Sequence, residues 1–195
     1  MMALQELLAE VRACRICEAQ LPLGPRPVVQ ADASARILIV GQAPGLRVHE
    51  TGIPFNDPSG ERLRDWLGMT PEEFYDPRQV AILPMGFCYP GRGRSGDNPP
   101  RPECAPAWRQ RLLDQLPNIE LTVLAGRYAQ EWHLGKAVNL TERVRNWRNV
   151  WPEYVPIPHP SPRNNLWLRR NPWFEQELVP CLQQRVAQFR AENSS

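Results

Sequence analysis

The chain has 195 residues, 42% hydrophobic and 23% charged, with a formal net charge of +2. That length supports a full hydrophobic core, and the composition is that of a globular protein rather than a disordered or fibrous one. No run is long or apolar enough to span a bilayer, MMALQELLAEVRACRIC has an amphipathic helical pattern rather than that of a secretion signal, and the near-neutral balance gives no global basic field, so the expectation is a cytoplasmic protein without a membrane partner, with a monomer as the default.

Residues 3–13 predict a helix with Leu4, Leu7, Leu8 and Val11 on one face. LPLGPRPVVQ (21–30) is too rich in Pro and Gly for either regular element and reads as extended or looped. Four short apolar runs follow, at 36–41, 80–86, 121–126 and 154–159, each of the kind a buried parallel strand needs. Helical patterns separate them. One starts with Asp57 as N-cap and Pro58 at the first helical position and buries Leu63, Trp66 and Leu67. Others cover roughly 105–116, 127–134 and 173–191. This alternation predicts an α/β fold, a three-layer α/β/α sandwich around a central, mostly parallel four-stranded sheet, in one domain over residues 1–195, with a frayed Ser194-Ser195 end.

Ligands of an open parallel sheet sit at the carboxyl ends of its strands. Three informative segments fall there: GQAPG (41–45) after the first strand, GFCYPG (86–91) after the second and HPSPRN (159–164) after the fourth.

The five cysteines are an odd number in a chain read as cytoplasmic, which argues against a disulfide framework. Cys14-x2-Cys17 taken alone fits a zinc half-site, a redox pair or chance. The second pair, Cys88-x15-Cys104, is wider than a zinc knuckle, and the four together favour a [4Fe–4S] cluster, with zinc as the alternative. Cys181, on the last helix, reads as a core residue.

GQAPG-x6-GxPF, the four-cysteine spacing and the later HPS motif together resemble the uracil-DNA glycosylase superfamily, most closely its iron–sulfur branch, family 4, from about Cys14 to Phe174. HPSPRN as written is closest to the single-strand-selective branch. The resemblance implies a first catalytic loop over Gly41–Gly45, with Gly41 and Ala43 beside the base, and Phe55 stacked on an extruded base. It implies a cluster held by Cys14, Cys17, Cys88 and Cys104, and His159 donating to a base carbonyl. It also implies contact with the DNA strand through Ser161, Pro162, Arg163 and Asn164. Three positions depart from that branch: Gln42 replaces a Glu, His49 stands where an acid is common, and Leu83-Pro84-Met85-Gly86 offers no amide where an Asn reads the uracil edge.

Hydrolysing an N-glycosidic bond requires a nucleotide out of the stack, a home for the negative charge on the departing base, and a water at the sugar. Phe55 suits the first and a neutral His159 the second. Gln42 can orient the water, with His49, Glu50 and Asp57 as reserve bases. Of the 23 basic residues 22 are Arg; the single Lys136 is expected on the far side of the sheet and the N-terminal amine is remote too, so no amine is expected to attack the sugar, and the abasic site stays uncut. Arg92 and Arg94, with Arg163, Arg169 and Arg170, are candidate phosphate contacts to single- or double-stranded DNA. The expected function is therefore base excision from DNA by a monofunctional glycosylase, uracil first. The competing readings are a glycosylase for another deaminated base and a weak or inactive protein of this fold that binds nucleic acid.

Overall fold

The computed structural model of the chain describes residues 3–193, so the expectation for Ser194-Ser195 lies outside it. Helix α1 (Leu4–Arg12) is followed by β1 (Ile37–Val40), α2 (Leu46–Thr51), α3 (Pro58–Leu67), α4 (Pro71–Phe74) and β2 (Val80–Ile82). A small antiparallel hairpin, β3 (Arg92–Gly93) and β4 (Gly96–Asp97), precedes α5 (Cys104–Leu113), β5 (Leu121–Ala125), α6 (Arg127–Leu134) and α7 (Leu140–Arg145). The chain ends with β6 (Tyr154–Ile157), α8 (Asn165–Arg170) and α9 (Val179–Asn193).

The main sheet has the order β2-β1-β5-β6, and every pairing is parallel. Alternate strand residues face opposite sides. Ile37 and Ile39 join a core with Leu63, Trp66, Phe74, Phe174 and Leu182, under α3 and α9. Leu38 and Val40 join a second core with Leu7, Leu8, Leu112 and Ala129, under α1, α5 and α6. Two cores on the two faces of one sheet make the three layers expected from the sequence. Among the described residues no helix is long and apolar enough to cross a membrane.

Boundaries differ from the expected ones where proline intervenes. The second run is a strand only to Ile82; Leu83, Met85 and Gly86 then donate their N–H groups to Ile39, Gly41 and Gln42 along the end of β1 and the loop after it, while Pro84 has none to give. The fourth run stops at Ile157, before Pro158 and Pro160. The last helix begins as a π-helical turn, Phe174–Leu178. Pro180 removes the N–H that would have met Gln176 and crowds that carbonyl, which favours wider spacing there. Residues 46–51, for which no element was expected, form α2, entered at Gly45 and closed by Gly52 at φ 72°.

Candidate active site

The carboxyl ends of the strands open into one cavity of about 400 Å³. Gly41, Gln42, Ala43, Pro44 and Gly45 line it after β1, Pro84 after β2, and His159, Ser161, Arg163 and Asn164 after β6. Phe55, Asp57 and Ser59 close it from the α2–α3 connection, and Arg92, Asp97 and Asn98 from the hairpin. The first and last expected loops therefore face a common space.

His159 is held on two sides. Its Nδ1 accepts the backbone N–H of Ser161 at 3.2 Å, and its carbonyl accepts the Asn164 amide at 2.7 Å. An acceptor at Nδ1 puts the single proton of a neutral imidazole on Nε2, making that nitrogen the donor. Burial holds the imidazole below the ordinary histidine range, against the upward pull of Asp57. Ser161 is also engaged internally: its hydroxyl accepts from the N–H of Arg163 at 3.2 Å. Ser161 and Asn164, expected at the DNA strand, thus serve first to orient His159.

Phe55 lies over Gly41. A Cβ on Gly41 would sit 3.1 Å from the Phe55 Cζ, so the loop glycine leaves room for the ring. Phe55 adopts φ 55°, a left-handed conformation that a bulky residue rarely takes. Its carbonyl receives Arg64 Nη1 at 3.3 Å, and its ring meets Phe74 edge-on with centroids 6.0 Å apart. Gly60 fits beneath that carbonyl only because it has no side chain: a Cβ there would lie 1.7 Å from the Phe55 oxygen. Asp57 caps α3 as expected, one carboxylate oxygen accepting the Gly60 N–H at 2.8 Å. It brings a carboxylate into the cavity that the catalytic loop itself lacks.

The hairpin supplies what sequence reading missed. Asp97 places its carboxylate above the loop, with Oδ2 3.5 Å from where a Gly45 Cβ would stand, and Asn98 is fixed by its amide N–H to Pro90 O at 3.2 Å. Arg163 donates to Ser95 O and so joins the HPSPRN loop to the hairpin. GRGRSGDN carried a signal, Gly-rich and polar, but only its arginines stood out in sequence. Arg92 lines the cavity; Arg94 is exposed on the hairpin and does not. Two of the three reserve bases are set apart from the chemistry. His49 packs its ring against Tyr89, centroids 5.9 Å apart, on a face of α2 away from the lining, and Glu50 is exposed beside it. Among the expected catalytic candidates, His49 is thus not in the cavity lining, whereas Gln42 and His159 are.

A separate small cavity is lined by all four of Cys14, Cys17, Cys88 and Cys104. No two of them are joined as a disulfide. Trp108 Nε1 donates to Cys14 Sγ at 3.3 Å, and the Phe87 N–H to Cys104 Sγ at 3.4 Å. Burial pushes the Cys104 thiol up to about 12 and the Cys88 thiol up to about 11. Four thiolates on one zinc ion would stand about 3.8 Å apart, from Zn–S bonds of about 2.3 Å. Among the described residues no three metal-ligating side chains close on one point in that way. Four thiols around one cavity are a donor set whose chemistry suits a [4Fe–4S] cluster or zinc. Cys181 packs against the first core, as expected.

Comparison with known proteins places these features in a family. The model of the uracil DNA glycosylase superfamily matches residues 28–183. The chain is 30% identical over 168 residues to the type-4 uracil-DNA glycosylase of Thermotoga maritima, covering 81% of this chain and 82% of that protein.

Proposed function

The chain belongs to the uracil DNA glycosylase superfamily, as a DNA glycosylase hydrolase, and on that premise we propose that it excises a deaminated base, uracil first, and leaves the abasic site uncut. The observation that carries this reading is His159, a neutral Nε2–H donor fixed through Nδ1, facing the Gly41–Gly45 loop across one cavity.

An extruded base enters between the Phe55 ring and the His159 imidazole. As the N-glycosidic bond breaks, its electron pair leaves with the base, and the His159 Nε2–H meets the carbonyl oxygen where the negative charge gathers. Cationic character develops on the sugar at the same time. Asp57, with one oxygen held by the Gly60 N–H, has the other for a water and for that positive charge. Gln42 also lines the cavity, and no hydrogen bond to the described residues holds its carboxamide, so its oxygen can share the orientation of the water. The water oxygen bonds to the sugar carbon, and its proton passes by way of Asp57 to the departing base. Lys136 follows the C-terminal end of α6, whose N-terminal end, at Gly126, adjoins His159. A helix of eight residues is about 12 Å long, which keeps that amine away from the sugar. The four cysteines would hold a [4Fe–4S] cluster, which supplies a cross-link among α1, α5 and the 83–88 segment.

One observation favours a second base. Pro84 offers no amide where uracil would be read, while Asp97 and Asn98 add polar groups from the hairpin. A carboxylate acceptor suits a base with a second ring N–H, as in xanthine, where uracil and hypoxanthine each have one; hypoxanthine is tested beside it as the other deaminated purine.

The test uses labelled oligonucleotides, single- and double-stranded, each with one uracil, hypoxanthine or xanthine. Breaks that appear only after alkali and vanish with His159→Ala support the reading. Breaks without alkali contradict the monofunctional part, and binding without breaks on every base contradicts excision. Anaerobically purified protein with iron and a broad absorption at about 400 nm supports the cluster; one tightly held zinc contradicts it.

A further inference from the structure

Arg109 is fully buried in the middle of α5, yet no carboxylate pairs with it among the described residues. Its Nη1 donates to Leu83 O at 2.9 Å and to Pro84 O at 3.2 Å; its Nε donates to His133 Nε2 at 3.3 Å. Trp132 covers it, with the guanidinium carbon 5.4 Å from the ring centroid. All of these partners are neutral. Burial and Arg109 itself hold the His133 imidazole well down, at about 3, so it accepts without carrying charge. A buried cation surrounded only by dipoles is costly, and natural interiors pair such charges.

The cysteine cavity begins about one and a half helical turns from Arg109 and would be negative with a thiolate-bound cluster in place. Cys104 opens the same helix that carries Arg109. The segment that Arg109 grips leads directly into that cavity: Leu83 and Pro84 receive its hydrogen bonds, and Gly86, Phe87 and Cys88 line the cysteines. The other charged groups at that cavity, Arg101 and Glu103, already pair with each other at 2.6 Å and leave nothing over for Arg109. A cluster bound by four thiolates is a net anion, and the potential of such a centre depends on nearby charge.

We propose that Arg109 is the buried counter-charge of the cysteine-bound cluster and the strut through which that cluster fixes the Pro84 wall of the base cavity. This rests on the cluster reading given above. The strut is short and continuous: Arg109 holds Leu83 and Pro84, and the next residues, Met85 and Gly86, donate to the carbonyls of Gly41 and Gln42 at 2.9 and 3.0 Å. Arg109 touches neither DNA nor base in this account and is a positioning residue.

The test compares wild type, Arg109→Gln and Arg109→Lys, each purified anaerobically with its iron content measured. Gln keeps donors and loses the charge; Lys keeps the charge and loses the planar fork. The expected result for Arg109→Gln is a lower cluster reduction potential and loss of iron to a chelator roughly tenfold faster or more, as for other outer-shell partners. Arg109→Lys should keep the wild-type potential, and its excision should fall through kcat as the Pro84 wall loosens. A merely structural arginine would not separate the two variants by potential. Equal potentials and chelator rates for wild type and Arg109→Gln overturn the inference while leaving the cluster standing. Wild-type protein without iron overturns the cluster reading and this inference with it. Should Arg109→Gln not fold, a potential in Arg109→Lys displaced from wild type overturns the inference, and an unchanged one supports it.

Discussion

The backbone N–H of Ser161 is donated to Nδ1 of His159 at 3.2 Å, and this one bond decides which way a neutral imidazole carries its proton. The HPS motif thus works partly through main chain. Ser161 already has φ −59°, which suits proline. Ser161→Pro should remove the donor with little backbone cost, free the tautomer and lower the excision rate by roughly tenfold or more, as with loss of a preorganised hydrogen bond. His159→Ala should cost about 10²–10³ in rate. Single-turnover excision with both variants measures the two losses, and an undiminished Ser161→Pro would remove the tautomer lock from the mechanism.

The acid limb of activity should lie below the ordinary histidine range. In the proposed mechanism His159 acts in its neutral form; burial lowers its pKa and Asp57 opposes that shift. Activity is therefore retained as pH falls through about 6.5, the unperturbed histidine value, and is lost only as pH drops through the lower folded-state value. Asp57→Asn removes the opposing carboxylate, so the limb should move to still lower pH while the maximal rate falls. Asn caps helices about as well as Asp, so α3 should remain intact. A pH–rate profile of both proteins, with circular dichroism for the fold, tests the sign; a limb moving upward would contradict it.

Gly60→Ala should be among the most damaging single-methyl changes in the chain. The added carbon would fall 1.7 Å from the Phe55 carbonyl oxygen, so Phe55 or the first turn of α3 must move. Overpacking of this kind costs about 1–3 kcal/mol or more. Gly135→Ala serves as a control, since nothing lies within 4 Å of its would-be Cβ, although its φ of 86° carries a backbone penalty of its own. Denaturant unfolding and binding to an abasic-site analogue would both weaken in Gly60→Ala.

Stability should decline on acidification partly through His133. Burial, and then Arg109, lower its pKa to about 3. The folded chain keeps it neutral while the unfolded chain takes up a proton below about 6.5, so the contribution is lost progressively from about pH 6.5 to pH 3. Allowing for solvent screening at a half-buried ring, the slope is up to about 1 kcal/mol per pH unit. His133→Gln keeps an acceptor for Arg109 without titrating. Its stability curve should be flatter than that of wild type in this window, and parallel curves would refute the assignment.

The layering of the molecule was legible in sequence because it follows from local periodicity. Ile37-Leu38-Ile39-Val40 alternates between two cores as a doubly covered strand must, and Asp57-Pro58 starts α3 as its side-chain chemistry requires. The Gly41–Gly45 loop and His159 stood out because they follow strands whose ends converge in any parallel sheet, whereas Phe55 was named through the resemblance of its GxPF motif to the family. Asp97 and Asn98 did not stand out, since nothing in GRGRSGDN says over which loop a two-residue hairpin will fold. The placement of His49 was not legible for a related reason: whether a residue on a six-residue helix faces the cavity or Tyr89 depends on how that helix is rotated by its neighbours.

By itself the sequence determined the alternation of strands and helices, the caps that start and stop them, and the identity of the reactive groups, because these depend on residues within a few positions of one another. Only the tertiary structure decided which groups meet. It set the tautomer of His159, brought the Asp57 and Asp97 carboxylates to a loop that has none, gathered four distant cysteines around one cavity, and left Arg109 buried without a carboxylate. The physical reason is that a hydrogen bond or a charge interaction depends on distance and orientation in space, and for residues tens of positions apart those are fixed by the packing of the whole core.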